Sequence, residues 1–350
     1  MKKKKILFLA GGLGNGGAER VALTLADALF DQEYEVNIIY FREDKKPYDT
    51  KCPKIFVHKG NFISTELLLR KSINMIEPDV IIAFEYHTAV KCVLAGLFQK
   101  RKYKLIASER NDPNKLKENK LFLWDVLRGW AYKKCDCLVC QTLDAKSYFS
   151  EKIQRNTTVI LNPVKDKLPE WKLQDCEKSI ITFCRLEKQK NIPLLLDAFE
   201  DLLTIYPDYK LYIYGNGSQE GKIRREIKNR NIQKSVILNP FCSYIHKIAI
   251  KSHMFVSSSD YEGISNSMLE AMAMGMPVVC TDCPAGGARM VIQDHSNGIL
   301  VPVQNKKSLC DAMSELISND ELACDLGRNA RKISQELSVE SILQKWIELF

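Results

Sequence analysis

Short apolar runs alternate with amphipathic stretches along almost the whole chain, and no other feature constrains the fold as strongly. "KILFLAGG" leads into "GAERVALTLADALF". Then come "EVNIIYF", "DVIIAF", "KLIASER" and "CLVCQT", each separated by a stretch of helical period. That alternation implies parallel strands joined by crossover helices, an α/β doubly wound sheet. Residues 161–178 break the pattern with two prolines and mixed charge, and they read as a linker. A second series follows: "SIITFCRL", "KLYIYGNG", "SVILNPF", "MFVSSS", "MPVVCTD" and "GILVP". At 350 residues the chain is therefore read as two Rossmann-like domains, 1–168 and 169–335, facing across a cleft. A final helix, about 336–350, fits either domain. Open α/β sheets bind ligands at the carboxyl ends of their strands, so the strand-to-helix loops are where chemistry is expected.

Hydrophobic residues are 45% and charged residues 27% of the chain, a normal balance for a soluble globular protein. No apolar run reaches the roughly 18–20 residues of a bilayer span. The start, "MKKKKILFLAGG", carries too short an apolar run for a signal peptide and no small-residue cleavage site. It reads as a first strand, and a cytoplasmic location is expected. Net charge is +8 and uneven: residues 1–170 hold 30 Lys/Arg against 21 Asp/Glu, the remainder 21 against 22. A basic first half points to an anionic surface, lipid or nucleic acid, with solvated lysines as the plainer alternative. Of twelve cysteines, Cys135, Cys137 and Cys140 lie in a strand-like run and Cys280 closes another. They read as small hydrophobes, and neither a metal site nor a disulfide framework is expected.

Four loops carry polar groups suited to a ligand. "GGLGNGGAER" places Gly12, Gly14 and Gly17 as G-x-G-x-x-G between strand and helix, with Glu43 and Asp44 after the next strand. That pattern supports an NAD(P)-dependent oxidoreductase as an alternative. In "CRLEKQKNIPLLLDAF", Arg185 and Lys190 flank a strand end, where a fork and a point charge can clamp a diphosphate. "YGNGSQEGKIRREI" places Gly215 and Gly217 at a strand-to-helix turn. "DYEGISNSMLEAMAMGMPVV" sets Glu262 in a loop and Glu270 in a helix. Glu270 fits a capping box with Ser267, or equally a place on the ligand side of the helix. No D-x-D pair occurs, so a metal-dependent nucleotide-sugar site of that type is unsupported. Cations and a helix N-terminus would have to neutralise a departing diphosphate instead.

"GGAER", "RLEKQKN", "LNPF" and above all "DYEGISNSMLEAMAMGMPVV" resemble the retaining family-4 glycosyltransferases of the GT-B fold, over nearly the whole chain. Glu262 and Glu270 match that family's E-x7-E signature. "SERNDP" and "CTDCPAGGAR" resemble bacterial transferases that build capsule, exopolysaccharide or lipid-linked oligosaccharide. The resemblance implies a metal-independent, cofactor-free hexosyltransferase that takes a nucleotide sugar, by family habit a UDP-sugar. Arg185 and Lys190 would bind the donor diphosphate. Glu262 would face the donor sugar and Glu270 would hold the ribose hydroxyls. The backbone of Gly263, Ile264, Ser265 and Asn266 would cradle sugar and phosphate. Phe241 and Cys242 would lie near the nucleobase, and Gly16 and Gly17 would approach the diphosphate. Arg185, Lys190 and Glu262 would carry the catalytic work.

Two departures stand out. Cys184 occupies a strand end where the family usually has glycine. Where many relatives carry a histidine after the fourth strand, this chain has Glu109 and Arg110, with His87 on an earlier loop. These three are the acceptor-side candidates. The acceptor implied is lipid-linked or an oligosaccharide, with no nucleic acid partner. The region 114–134 sets Leu116, Leu121, Leu123, Trp124, Leu127 and Trp130 among lysines. It reads either as a basic amphipathic helix touching an anionic membrane, on the inner face of the plasma membrane, or as a core-packed helix with a solvated basic face.

Overall fold

The computed structural model describes residues 3–350 with the exception of 15, 59, 98, 119 and 120. Among the described residues, thirteen strands form two sheets in which every paired strand is parallel. The chain divides into two compact units, residues 1–163 with 339–350, and residues 164–338.

In the first unit the strands are β1 (Lys5–Gly12), β2 (Glu35–Arg42), β3 (Lys54–Phe56), β4 (Val80–Phe84), β5 (Lys104–Ser108), β6 (Cys137–Cys140) and β7 (Thr157–Val159). Their order across the sheet is β3-β2-β1-β4-β5-β6-β7. The helices are α1 (Gly17–Asp31), α2 (Phe62–Ile76), α3 (Tyr86–Ala95), α4 (Lys115–Glu118), α5 (Phe122–Tyr132), α6 (Leu143–Ser147) and α7 (Glu151–Gln154). Chain order reverses between β1 and β4, which makes their carboxyl ends the switch point of this sheet. β1 and β4 are buried almost throughout because helices cover both faces, which is why they read as continuous apolar runs.

In the second unit the strands are β8 (Glu177–Phe183), β9 (Lys210–Tyr214), β10 (Val236–Asn239), β11 (Ser252–Ser257), β12 (Val278–Thr281) and β13 (Ile299–Val301), ordered β10-β9-β8-β11-β12-β13. The helices are α8 (Ile192–Ile205), α9 (Glu220–Asn229), α10 (Ile245–Ala249), α11 (Asn266–Met274), α12 (Lys306–Ser318), α13 (Asp320–Ala330) and α14 (Ile333–Glu336). Here the switch point lies between β8 and β11. α8 is a strong helix: Asn191 caps it, Pro193 occupies its first turn, and Leu195, Leu196, Phe199 and Leu202 form its buried stripe.

The last helix, α15 (Val339–Ile347), belongs to the first unit. Trp346 anchors it, fully buried and stacked on Phe84 at the end of β4, with ring centroids 5.7 Å apart. Among the described residues no helix is long and apolar enough to cross a membrane.

Candidate active site

The loops that leave the carboxyl ends of β8 and β11 meet at the switch point of the second unit. The β8 loop turns at Asn191, whose φ of 41° and ψ of 48° are left-handed, a conformation asparagine tolerates better than most residues. Asn191 holds that turn twice: its carbonyl accepts from Ser258 Oγ at 3.1 Å, and its Nδ2 donates to Asp260 at 2.8 Å. Ser258 also donates to the Lys190 carbonyl, and the Asp260 amide donates to the Gln189 carbonyl at 2.8 Å. The two loops are therefore stitched together by their backbones. The result is that Lys190, named above for the diphosphate, and Glu262, named for the sugar, form an ion pair.

Lys190 is buried and Glu262 nearly so, with side-chain exposures of 9% and 18%. Burial alone would lower the lysine pKa. The adjacent Glu262 carboxylate outweighs it, and the pKa stands above the ordinary lysine value. Lys190 is thus a fixed, dry cation. Gln189 Nε2 adds a longer contact to the same Glu262 oxygen at 3.4 Å. Arg185 is different: it is exposed and has no ion-pair partner among the described residues. Cys184 just before it is turned inward against the core, where burial raises its thiol pKa. Its backbone shows no positive φ, so the glycine expected there is not needed for conformation.

Close backbone approach shapes the rest of this edge. Gly215, with φ of +155°, lets the β9 loop lie on the Cys184 carbonyl, a space that any Cβ would fill. Gly287 does the same for the Gly263 carbonyl, while the Glu262 amide donates to Pro284 at 2.9 Å. Gly263 and Ile264 are buried in this packing. Phe241 is 59% exposed, its amide bonded to Asn216 Oδ1 at 3.0 Å, and Cys242 beside it is half-buried.

The helix after Glu262 corrects one sequence expectation. α11 begins at Asn266, and its cap is Ser265, whose side chain accepts from the Met268 amide. Ser267 lies inside the first turn, so there is no capping box with Glu270. Glu270 instead lies one turn inside the helix, 4% exposed, and meets His246 of α10, Nε2 to Oε2, at 2.9 Å. The sequence reading missed His246. It stands 24 residues from Glu270 on a five-residue helix, where no local period could mark it.

The first unit carries the other candidates. The α1 loop is rich in its own carboxylates. Asp44 accepts from the Leu13 amide at 2.9 Å and sits where a Cβ on Gly12 or Gly14 would be, and Glu19 fills the space over Gly16 at the head of α1. Gly17 opens α1 beside it. His87 packs on Gly11, at the switch point, 3.6 Å from Glu85. Burial lowers its pKa to about 4, so it is neutral at physiological pH. Glu109 and Arg110 are both buried. Glu109 accepts from Arg128 and from Tyr132, each at 3.2 Å, and burial raises its pKa. Arg110 donates to Asn162 at 2.8 Å and stacks its guanidinium 4.3 Å from the Phe84 ring and 5.6 Å from that of Trp346.

α5 buries one charged group and leaves part of its apolar surface exposed. Its inward face carries Arg128, 1% exposed, paired to Glu109 and Asp125. Its outward face carries Phe122 and Leu123, each 69% exposed, and Val126 at 49%. Leu121 and Trp124 are exposed, Leu127 and Trp130 half-buried, and Leu116 buried. Ala131 and Tyr132 are buried in the core of the unit, with Leu127 and Trp130 packed against it and Lys133 and Lys134 exposed, so the helix is core-packed on one side and leaves an apolar face open on the other. Residues 119 and 120 of the region lie outside the described residues.

Among the described residues no cluster of three or more His, Cys, Asp or Glu side chains could hold a metal ion. Residues 164–333 match the model for glycosyl transferases group 1, and residues 15–168 match the model for glycosyltransferase family 4. Relatives of full length include an uncharacterized glycosyltransferase of Haemophilus influenzae, 27% identical over 98% of this chain and 99% of its own. Another is the GalNAc-alpha-(1->4)-GalNAc-alpha-(1->3)-diNAcBac-PP-undecaprenol alpha-1,4-N-acetyl-D-galactosaminyltransferase of Campylobacter jejuni, 25% identical over 99% of this chain and 98% of its own. The fold is that of Anabaena Alr3699/HepE crystallised with UDP and glucose, with a TM-score of 0.84, 18% identity, and coverage of 99% of this chain and 98% of that one. The oxidoreductase alternative drawn from Gly12, Gly14 and Gly17 loses its support. Both models are glycosyltransferase models, and the Glu19 and Asp44 side chains, both paired with Arg42, already fill the space over Gly12, Gly14 and Gly16.

Proposed function

Because the chain belongs to the family-4 glycosyltransferases of the GT-B fold, with its two family models spanning residues 15–333 between them, we propose that it moves a hexose or N-acetylhexosamine, with retention, from a UDP-sugar to a lipid-linked or glycan acceptor. The coarser statement, a nucleotide-sugar-dependent glycosyltransferase of polysaccharide synthesis, is carried by the relatives. The donor site rests on a single observation, that Lys190 and Glu262 meet at the switch point of the second sheet, while UDP, retention and the acceptor class are drawn from the family resemblance and the relatives.

Each group then has a task. Lys190 is a desolvated point charge for the donor diphosphate, and Arg185, exposed beside it, is a fork free to close on the same group. The amides at the head of α11, from Ile264 to Asn266, add partial positive charge. Glu262 takes hydroxyls of the donor sugar and Glu270 those of the ribose, with Phe241 and Cys242 beside the base. In the transfer, the acceptor oxygen forms its bond to the anomeric carbon as the bond to the diphosphate oxygen breaks. The acceptor proton passes to the leaving diphosphate, on the same face. Positioning and charge stabilisation are what the protein contributes, with no enzymic nucleophile and no metal. Glu109, Arg110 and His87 remain the acceptor-side candidates.

The exposed apolar face of α5 supports contact with an anionic membrane that bears the acceptor. Phe122, Leu123 and Val126 form an unpartnered apolar face, and the first unit holds 29 Lys/Arg against 21 Asp/Glu while the second is neutral. The test of the whole reading is a donor panel of UDP- and GDP-sugars with membrane lipid extract as acceptor. Nucleotide release should require the extract, and NMR of the product should show the anomeric configuration of the donor. An inverted anomeric centre would end the retaining mechanism.

A further inference from the structure

His246 is not part of any motif of the sequence, yet it is built into the donor edge. It stands in α10, directly after the loop of Phe241 and Cys242, and it is 8% exposed. Its ring packs edge-on against Phe183, the last residue of β8, at 6.1 Å and 85°. Phe183 is in turn held against Phe255 of β11 at 5.0 Å. The imidazole is therefore wedged behind the two central strands and has little freedom to turn. From there Nε2 reaches Glu270 Oε2 at 2.9 Å. When Glu270 is ionised its carboxylate can only accept, and the imidazole then donates from Nε2.

We infer that His246 is a positioning residue that fixes the Glu270 carboxylate to receive the ribose hydroxyls of the nucleotide donor. The inference rests on the reading of Glu270 as the ribose-binding group. A glutamate side chain has three torsions, and a carboxylate held 4% exposed in a helix whose Met268, Leu269 and Met272 are also buried needs them restrained to face a ligand. One charge-assisted hydrogen bond from a locked ring sets the plane of the carboxylate. A carboxylate has about four acceptor positions, so the bond to His246 leaves capacity for a vicinal diol. The same ring ties the orientation of Glu270 to the loop expected to lie near the base.

A purely structural bond would leave ribose discrimination untouched, and this separates the two roles. The probes are UDP, GDP and ADP with their 2′-deoxy counterparts, titrated by calorimetry into the intact protein. For the ribonucleotide that binds best, loss of the 2′-hydroxyl should weaken binding about 10- to 100-fold, as expected when a buried charged acceptor loses its donor. Glu270→Gln should bring that ratio near unity. His246→Phe, which keeps the ring packing on Phe183, should cut the ratio to about 3-fold or less. His246→Gln, which keeps a donor near the Nε2 position, should restore most of it. If Glu270→Gln abolishes discrimination while His246→Phe keeps the wild-type ratio, the positioning role is wrong and the ribose reading stands. If Glu270→Gln keeps the wild-type ratio, the ribose reading itself fails. Should His246→Phe not fold, His246→Leu also lacks the donor, and a folded His246→Leu that keeps the wild-type ratio refutes the inference. Binding by none of the three ribonucleotides removes the donor site and the inference together.

Discussion

On the proposed reading, the contact of Lys190 with Glu262 serves both the structure and the site. Each is nearly buried, and each is the other's counter-charge. Lys190→Met leaves Glu262 without a cation and should cost about 3 kcal/mol of stability, the range for breaking a buried pair. Lys190→Met with Glu262→Gln should recover most of that in urea melts while transfer stays lost; a double variant as unstable as the single one would show that the pair is not the cause. The sign of the pH effect follows from the raised lysine pKa. The pair's contribution is complete below the ordinary lysine pKa and is shed as pH rises through the higher folded value, so the wild type should lose melting temperature in strong alkali and the double variant should lose less. His87 acts in the opposite limb. The unfolded chain takes up its proton from about 6.5 downward, and the folded chain resists until about 4. Stability should therefore fall across that window, and His87→Gln should flatten the fall in a series of melts from pH 7 to pH 4. Arg185 bears on chemistry rather than stability. Exposed as it is, Arg185→Ala should fold normally yet lose turnover by about 10²-fold.

At the scale of elements, the helices α5 and α11 are where the sequence left alternatives open. Both Ser265 and Ser267 precede the apolar run of α11, and only geometry shows that Ser265 caps it. Ser265→Ala should cost about 1 kcal/mol, and Ser267→Ala should be close to neutral in the same unfolding assay. α5 has the period of an amphipathic helix, but period alone does not say which face is inward. Arg128 lies inward beside Ala131 and Tyr132 because Glu109, just after β5, meets it there, and that partner is far away in sequence. Leu123→Ser on the outer face should leave stability within about 0.5 kcal/mol, since nothing packs on it in the unit. The same change should reduce sedimentation with vesicles containing anionic lipid at low salt. Unchanged sedimentation would mean that some other surface, or none, meets the membrane.

Across the whole molecule, the two sheets were legible because parallel strands covered on both sides leave continuous apolar runs. The edge strands β3 and β7 were not, since each is three residues long and, unlike the equally short β13, carries no continuous apolar run. Glu262 and Glu270 were legible by spacing, and Arg185 and Lys190 by charge at a strand end. Their relation was not: the Lys190–Glu262 pair joins residues 72 apart, and His246 had no signal at all. The fate of the final helix was undecided in the sequence, and Trp346 settles it by stacking on Phe84 in the first unit. The central claim is that the second unit holds a nucleotide-sugar site built around Lys190 and Glu262. Calorimetric titration of UDP-sugars, GDP-sugars and NAD into the wild type and the Lys190→Met, Glu262→Gln double variant tests it most directly. The account predicts saturable binding of one nucleotide-sugar class to the wild type, none of NAD, and a loss of at least about 10-fold in the folded variant. Binding of NAD alone, or nucleotide-sugar affinity unchanged in the variant, would contradict it.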